Sequence, residues 1–128
     1  MDVVRRVVDA LDRRDFEALD ELNHPDVEMD WTRSRGLDAR VHRGHEAVTR
    51  FLRDLADAFH GFEVEADEFI EAGDSVVVPN TGRLRGRDGV ETVARSTLVF
   101  GLRDGRVARI CLYQEKAEAL ETVRLARS

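Results

Sequence analysis

Val90-Glu-Thr-Val-Ala-Arg-Ser-Thr-Leu-Val-Phe-Gly-Leu-Arg-Asp-Gly-Arg-Val-Ala-Arg-Ile-Cys-Leu-Tyr-Gln114 decides the fold of this chain. Apolar and polar residues alternate on either side of Arg103-Asp104-Gly105-Arg106, and Asp-Gly at the centre of such a pattern predicts a long antiparallel hairpin. Both faces of the hairpin's first run carry apolar or neutral bulk, so both need a cover. Helices from the N-terminal half can supply one. A second subunit or another layer must supply the other.

Working outward, Ser75 to Leu84 predicts a preceding strand in which Pro79 must meet an edge or a bulge, because it has no N–H for a ladder. Ala72-Gly73-Asp74 predicts a turn. Phe62, Val64 and Ala66 alternate with glutamates as another strand, and Phe69-Ile70 breaks that phase. Upstream, Val48, Phe51, Leu52, Leu55 and Phe59 form the apolar stripe of the strongest helix, which starts at Gly44-His45-Glu46 and is expected to end at a His60-Gly61 cap. Thr32 to Arg43 has no sustained period and is expected to be a loop able to cover a pocket. Val27, Met29 and Trp31 share one face of a short strand, with Glu28 and Asp30 on the other. His24 precedes Pro25 and is expected in a turn. Two N-terminal helices follow from Val3, Val4, Val7, Val8 and Leu11, and from Phe16, Leu19 and Leu22 behind an Asp15 N-cap. Ala117, Leu120 and Val123 predict a terminal helix. The order is an α+β plan, with helices on a strongly twisted sheet.

The 128 residues suffice for one domain, taken as 1–128. A formal net charge of −6 argues against a nucleic-acid surface, and Arg83, Arg85 and Arg87 are too short a stripe to reverse that. Apolar runs fall short of the ~20 residues of a membrane helix. The N-terminus has no signal-peptide core, so a cytoplasmic location is expected. Cys111 is the single cysteine and excludes an internal disulfide. The histidines His24, His42, His45 and His60 have no metal-ligand spacing, and neither metal nor other cofactor is expected.

The segments DALDRRDFEALDELNHPDVEMDW, VHRGHEAVTRFL and TLVFGLRDGRVARICLYQ together resemble the nuclear transport factor 2-like superfamily, in its SnoaL-like, ketosteroid-isomerase-like branch. The resemblance spans essentially the whole chain. It implies a cone-shaped α+β barrel, a bent sheet wrapped around a long helix with an internal small-molecule pocket. It also implies a homodimer joined through the outer sheet face. By this overlay Val7, Thr97 and Trp31 fall where ketosteroid isomerases carry their tyrosine, oxyanion aspartate and base, so steroid isomerisation is disfavoured. SVVVPNTGRL has no carboxylate after Asp74, which disfavours epoxide hydrolysis.

What the resemblance leaves is a lyase, isomerase, cyclase or dehydratase reading. In it Asp30 with His42 serves as general acid or base, Asp30 being turned inward against an apolar wall that raises its pKa. The overlay points Arg95, Thr97, Val99, Leu112 and Gln114 into the cone. With Trp31, Phe51, Leu55 and Thr81 they would line a site for a small, mostly apolar ligand bearing a carbonyl, hydroxyl or carboxylate. The alternative is a ligand-binding or dimerisation module without catalysis.

Overall fold

The computed structural model describes residues 2–34, 39–58, 61–86 and 88–127. In chain order the elements are α1 (Asp2–Arg13), α2 (Phe16–Leu22), β1 (Asn23–Asp30), β2 (Val41–Arg43), α3 (His45–Asp57), β3 (Gly61–Ala66), β4 (Ile70–Ala72), β5 (Ser75–Arg85), β6 (Glu91–Arg103), β7 (Arg106–Tyr113) and α4 (Lys116–Arg127). The strands form one curved, unclosed seven-stranded sheet in the order β2-β1-β7-β6-β5-β3, with β4 also on β5. All pairings are antiparallel except β1 with β7, which run parallel.

The hairpin of the opening sequence is present. Asp104 and Gly105 both take positive φ, 55° and 75°, the geometry a two-residue turn needs to match the strand twist. Asp15 caps α2 by accepting a hydrogen bond from the Ala18 amide at 3.1 Å. Pro79 lies where β3 has left β5 and β4 has not yet joined it: Asn80 pairs with Ala66, Val77 with Ile70, and the Pro79 carbonyl accepts from the Asp67 amide at 2.8 Å. Its missing N–H therefore falls in a gap of the ladder.

Three local expectations change. His24 belongs to β1, which starts at Asn23, because the segment extends along β7 with an irregularity between Asn23 and Glu28. The end of the expected loop, Val41–Arg43, pairs with Asp30–Glu28 as β2, while residues 35–38 lie outside the described residues. Helix α3 stops at Asp57 with Ala58 still in right-handed helical geometry, and His60 lies outside the described residues.

The two faces of the sheet carry separate apolar clusters. On the inner face, α1, α2 and α3 bury Val4, Val7, Leu19, Val48 and Phe51 against Val27, Met29, Val76, Val78, Leu98, Phe100, Ile110 and Leu112. On the outer face, α4 lays Ala119 and Val123 over Val77, Val99, Cys111 and Tyr113. Part of the second cover that the hairpin requires is thus the chain's own C-terminal helix. Among the described residues no helix is long and apolar enough to cross a membrane.

Candidate functional site

Register fixes what each face offers. Val78, Leu98 and Leu112 form one inner cross-strand row, and Asn80 with Ser96 forms the next. Trp31 and Phe51 meet beside this floor, edge to face at 5.4 Å. His42, from β2, stacks on Phe51 with ring centroids 4.2 Å apart and planes at 24°. Its neighbour in register is Met29, which shares the inner face, so the ring is buried among apolar groups, 6% exposed. Its Nε2 has no hydrogen-bond partner among the described residues. A buried polar atom left in this state costs about 1–3 kcal/mol unless something else satisfies it. A second such atom, Asn23 Oδ1, lies away from this wall at the α2–β1 junction, where the Asn23 carbonyl contacts His45 Nε2 at 2.8 Å.

Asn80 and Ser96 add polarity to the inner face. Ser96 Oγ donates to Asn80 Oδ1 at 3.3 Å, while Asn80 Nδ2 donates to the Val78 carbonyl at 3.2 Å. Neither residue stood out in the sequence. The signal that finds them is the phase of the strand: each lies two residues from Val78 or Leu98, which the inner core buries, and so shares their face.

That phase corrects the expected lining. Val99 packs under α4, so Arg95, Thr97 and Val99 all point outward, and Thr81, opposite Arg95, goes with them. Thr81 Oγ1 donates to Asp67 at 3.1 Å. Arg95 is exposed and not a buried cation; it has no carboxylate partner among the described residues, since Glu91 faces Arg83 and Arg85 at 3.7 Å and Asp30 is engaged elsewhere. Phe51 and Leu112 are buried on the inner face and Leu55, on the same helix as Phe51, is half-buried. Gln114 follows the end of β7, where its Nε2 donates to the Arg33 carbonyl at 2.7 Å.

Asp30 also faces outward. It pairs in register with Val41 and Cys111, and its side chain is 14% exposed under a polar cover. Burial by itself would raise its pKa. The hydrogen bonds from Thr32 Oγ1 at 2.6 Å and the Thr32 amide at 3.0 Å outweigh that, helped by the positive charges of Arg33 and Arg109, and the carboxyl ends below its ordinary value. The apolar wall expected to push it upward is on the other side of the sheet.

Around Asp30, Arg33 stacks on the Tyr113 ring at 4.4 Å, donates to Cys111 Sγ at 3.4 Å and pairs with Glu118 of α4 at 3.2 Å. Burial pushes the Cys111 thiol and the Tyr113 phenol up from their usual values. This outer cluster is closed by α4. A separate, half-open cleft of about 240 Å³ lies at the β3 edge among Asp12, Glu63, Val64, Glu65, Thr81 and Arg83. No group of three or more histidine, cysteine or carboxylate side chains suited to a metal occurs among the described residues.

Residues 4–110 match the sequence profile of the SnoaL-like domain. This chain belongs to the SnoaL-like family. The curved sheet of this SnoaL-like domain recurs in solved structures. A nuclear transport factor 2-like protein of unknown function from Burkholderia pseudomallei is 26% identical, with 96% of this chain and 95% of that one covered at a TM-score of 0.79. TerC, co-crystallised with polyporic acid, is 25% identical, covering 96% of each chain at 0.77. A Sinorhizobium meliloti protein designated a polyketide cyclase is 26% identical, covering 88% of this chain and 94% of that one at 0.71. No curated protein matches the sequence.

Proposed function

We propose that this SnoaL-like domain binds a small aromatic or polycyclic compound, bearing carbonyl or hydroxyl groups, against the inner sheet face. The observation that carries the reading is the buried Nε2 of His42, which has no partner among the described residues and lies in a wall made by Trp31 and Phe51. Such a wall favours a flat ligand, and the free ring nitrogen would donate to a carbonyl or accept from a hydroxyl, according to its tautomer. Asn80 and Ser96 supply a second polar point beyond the apolar row of Val78, Leu98 and Leu112. TerC, at 25% identity, was crystallised with polyporic acid, which supports a small organic ligand.

Turnover of the isomerase, cyclase or dehydratase type would use His42 as the group that moves a proton. Asp30, expected to share that role, would act on the other face as the anchor of Arg33. The same wall serves equally a binding module that performs no chemistry. Self-association through the exposed part of the outer sheet is a further part of the proposal, supported by the bare surface that β5 and β6 present beyond α4.

Trp31 is the single tryptophan and reports on the site directly. Titration with hydroxylated aromatic acids and quinones should change its emission, and His42→Phe should weaken that response about tenfold or more. No response to any compound, or equal affinity in the variant, would overturn the reading. Absorbance of the bound compound followed over time separates an enzyme from a binding module.

A further inference from the structure

Trp31 reaches the inner wall from a turn that follows β1. Its amide donates to the Arg40 carbonyl at 3.0 Å and its own carbonyl accepts from the Ser34 amide at 3.0 Å, which makes Trp31 to Ser34 a β-turn with Thr32 and Arg33 at its centre. The indole is half-buried against the inner core and meets Phe51 edge to face. Thr32 and Arg33 are exposed. A turn with so little apolar burial opens readily unless other contacts tie it down.

Those contacts lie on the opposite side of the sheet. Gln114 Nε2, just past the end of β7, donates to the Arg33 carbonyl at 2.7 Å. The Arg33 guanidinium lies over the Tyr113 ring at 4.4 Å, donates to Cys111 Sγ at 3.4 Å and pairs with Glu118 at 3.2 Å. Glu118 belongs to the first turn of α4, and Lys116 in the same turn is bonded to Glu68 at 2.8 Å, so this end of the helix is held from two sides. An exposed ion pair alone restrains little, but here the same cation also has an aromatic face and a thiol. Both the backbone and the side chain of Arg33 are therefore clamped, two positions from the indole.

We infer that Arg33, Gln114 and Glu118 are positioning residues for Trp31, through which α4 sets the shape of the ligand wall from the other face of the sheet. This role rests on the reading that a ligand lies against Trp31. Gln114, which the family overlay directs into the cone, acts on the backbone of the turn instead. Asp30 has a different part. Its contact with Arg33, at 3.9 Å, is longer than the other polar contacts of that side chain, and Asp30→Asn keeps the Oδ1 that accepts from Thr32. With the clamp released the indole is in place only part of the time, and the apparent affinity falls by that fraction. Linkage makes the effect reciprocal, so a ligand that fixes Trp31 also steadies the first turn of α4.

Trp31 is the single tryptophan, so acrylamide quenching of the unliganded protein reads the clamp with no ligand present. Arg33→Ala should raise the quenching constant about twofold, and Gln114→Leu and Glu118→Ala should raise it less. Glu118→Ala should add little once Arg33 is replaced, because the two act through one contact. As a control, Val107→Ala removes core packing opposite Asn23, at the far end of β1, and should lower stability without changing the quenching. In a second arm, alizarin, a planar hydroxylated anthraquinone, is titrated by absorbance. Arg33→Ala should raise its dissociation constant about fivefold. In wild type, bound alizarin should slow exchange of the Ala119 amide, which donates to the Glu115 carbonyl at the start of α4. Unchanged quenching in Arg33→Ala and Gln114→Leu, or an equal rise in Val107→Ala, would overturn the positioning role. Equal affinity for alizarin in wild type and Arg33→Ala would overturn the control of the wall by α4. Raised quenching in a protein that binds no alizarin would support the positioning of Trp31 and count against the ligand reading alone.

Discussion

Asp30 and His42 occupy neighbouring strands one register step apart, yet their side chains point to opposite faces of the sheet. Met29, not Asp30, stands opposite His42. The carboxylate is held by Thr32, Arg33 and Arg109, and the imidazole by Phe51. The two act in separate environments, and their substitutions should be independent. Asp30→Asn should leave the Trp31 titration unchanged while His42→Phe weakens it. The stability effects of the two should add within about 0.5 kcal/mol in a double-mutant cycle by urea unfolding.

Acid should weaken the outer cluster. The folded pKa of Asp30 is depressed from the ordinary 3.8, so its stabilisation is present above that value and is lost as pH falls through the folded pKa. Between neutral pH and pH 2, wild type should lose more stability than Asp30→Asn does. Equal losses would show that the ion pairs of Asp30 do not stabilise the fold.

Alkali should act on the same cluster with the opposite sign. Burial first, and for Tyr113 also the neighbouring Cys111, raises both groups above their ordinary 9.0 and 10.0. Their protonated forms fit the fold, so the stability is fully present below the unfolded values and is lost as pH rises toward the folded ones. Thermal unfolding temperature should fall from about pH 9 upward, and Cys111→Ala with Tyr113→Phe should flatten that fall. In the native protein at neutral pH, Cys111 should resist alkylation and react only on unfolding.

Arg33 joins three elements: Asp30 at the end of β1, Cys111 and Tyr113 on β7, and Glu118 on α4. Arg33→Ala should cost about 1–2 kcal/mol in urea unfolding, since it removes a stacked cation and leaves Asp30 with one fewer positive neighbour. Arg33→Lys should recover only part, because an ammonium cannot stack in a plane on Tyr113 while reaching Cys111 and Glu118.

How far these residues were legible in the sequence follows from period and phase. A period of two revealed the strands and the Asp104-Gly105 turn, but the period does not say which of two apolar faces is inner. In β6, Val93 and Val99 make the odd face as apolar as Leu98 and Phe100 make the even one. The family overlay chose the odd set for the interior. The answer lay in α4, whose Ala119 and Val123 cover Val77 and Val99, and only the packed sheet brings those positions together. In β1 the alternation sufficed: Val27, Met29 and Trp31 share the inner face as the spacing predicts, and Asp30 follows to the other side. His42 had no legible partner because β2 is three residues long and pairs across a stretch without a sustained pattern.

The parallel pairing of β1 with β7 has a consequence for how the chain assembles. Asp30 and Arg109 meet across 79 residues of sequence, whereas the β6–β7 hairpin closes over a two-residue turn. Contacts between such distant segments form slowly because the loop entropy is lost before any contact repays it. As the chain leaves the ribosome, β1 can meet its antiparallel neighbour β2 early, but its parallel neighbour is missing until residues 106–113 emerge. The last strand of the sheet to be synthesised is thus the one against which the first is laid, and joining the two is the step at which a nascent chain becomes a domain.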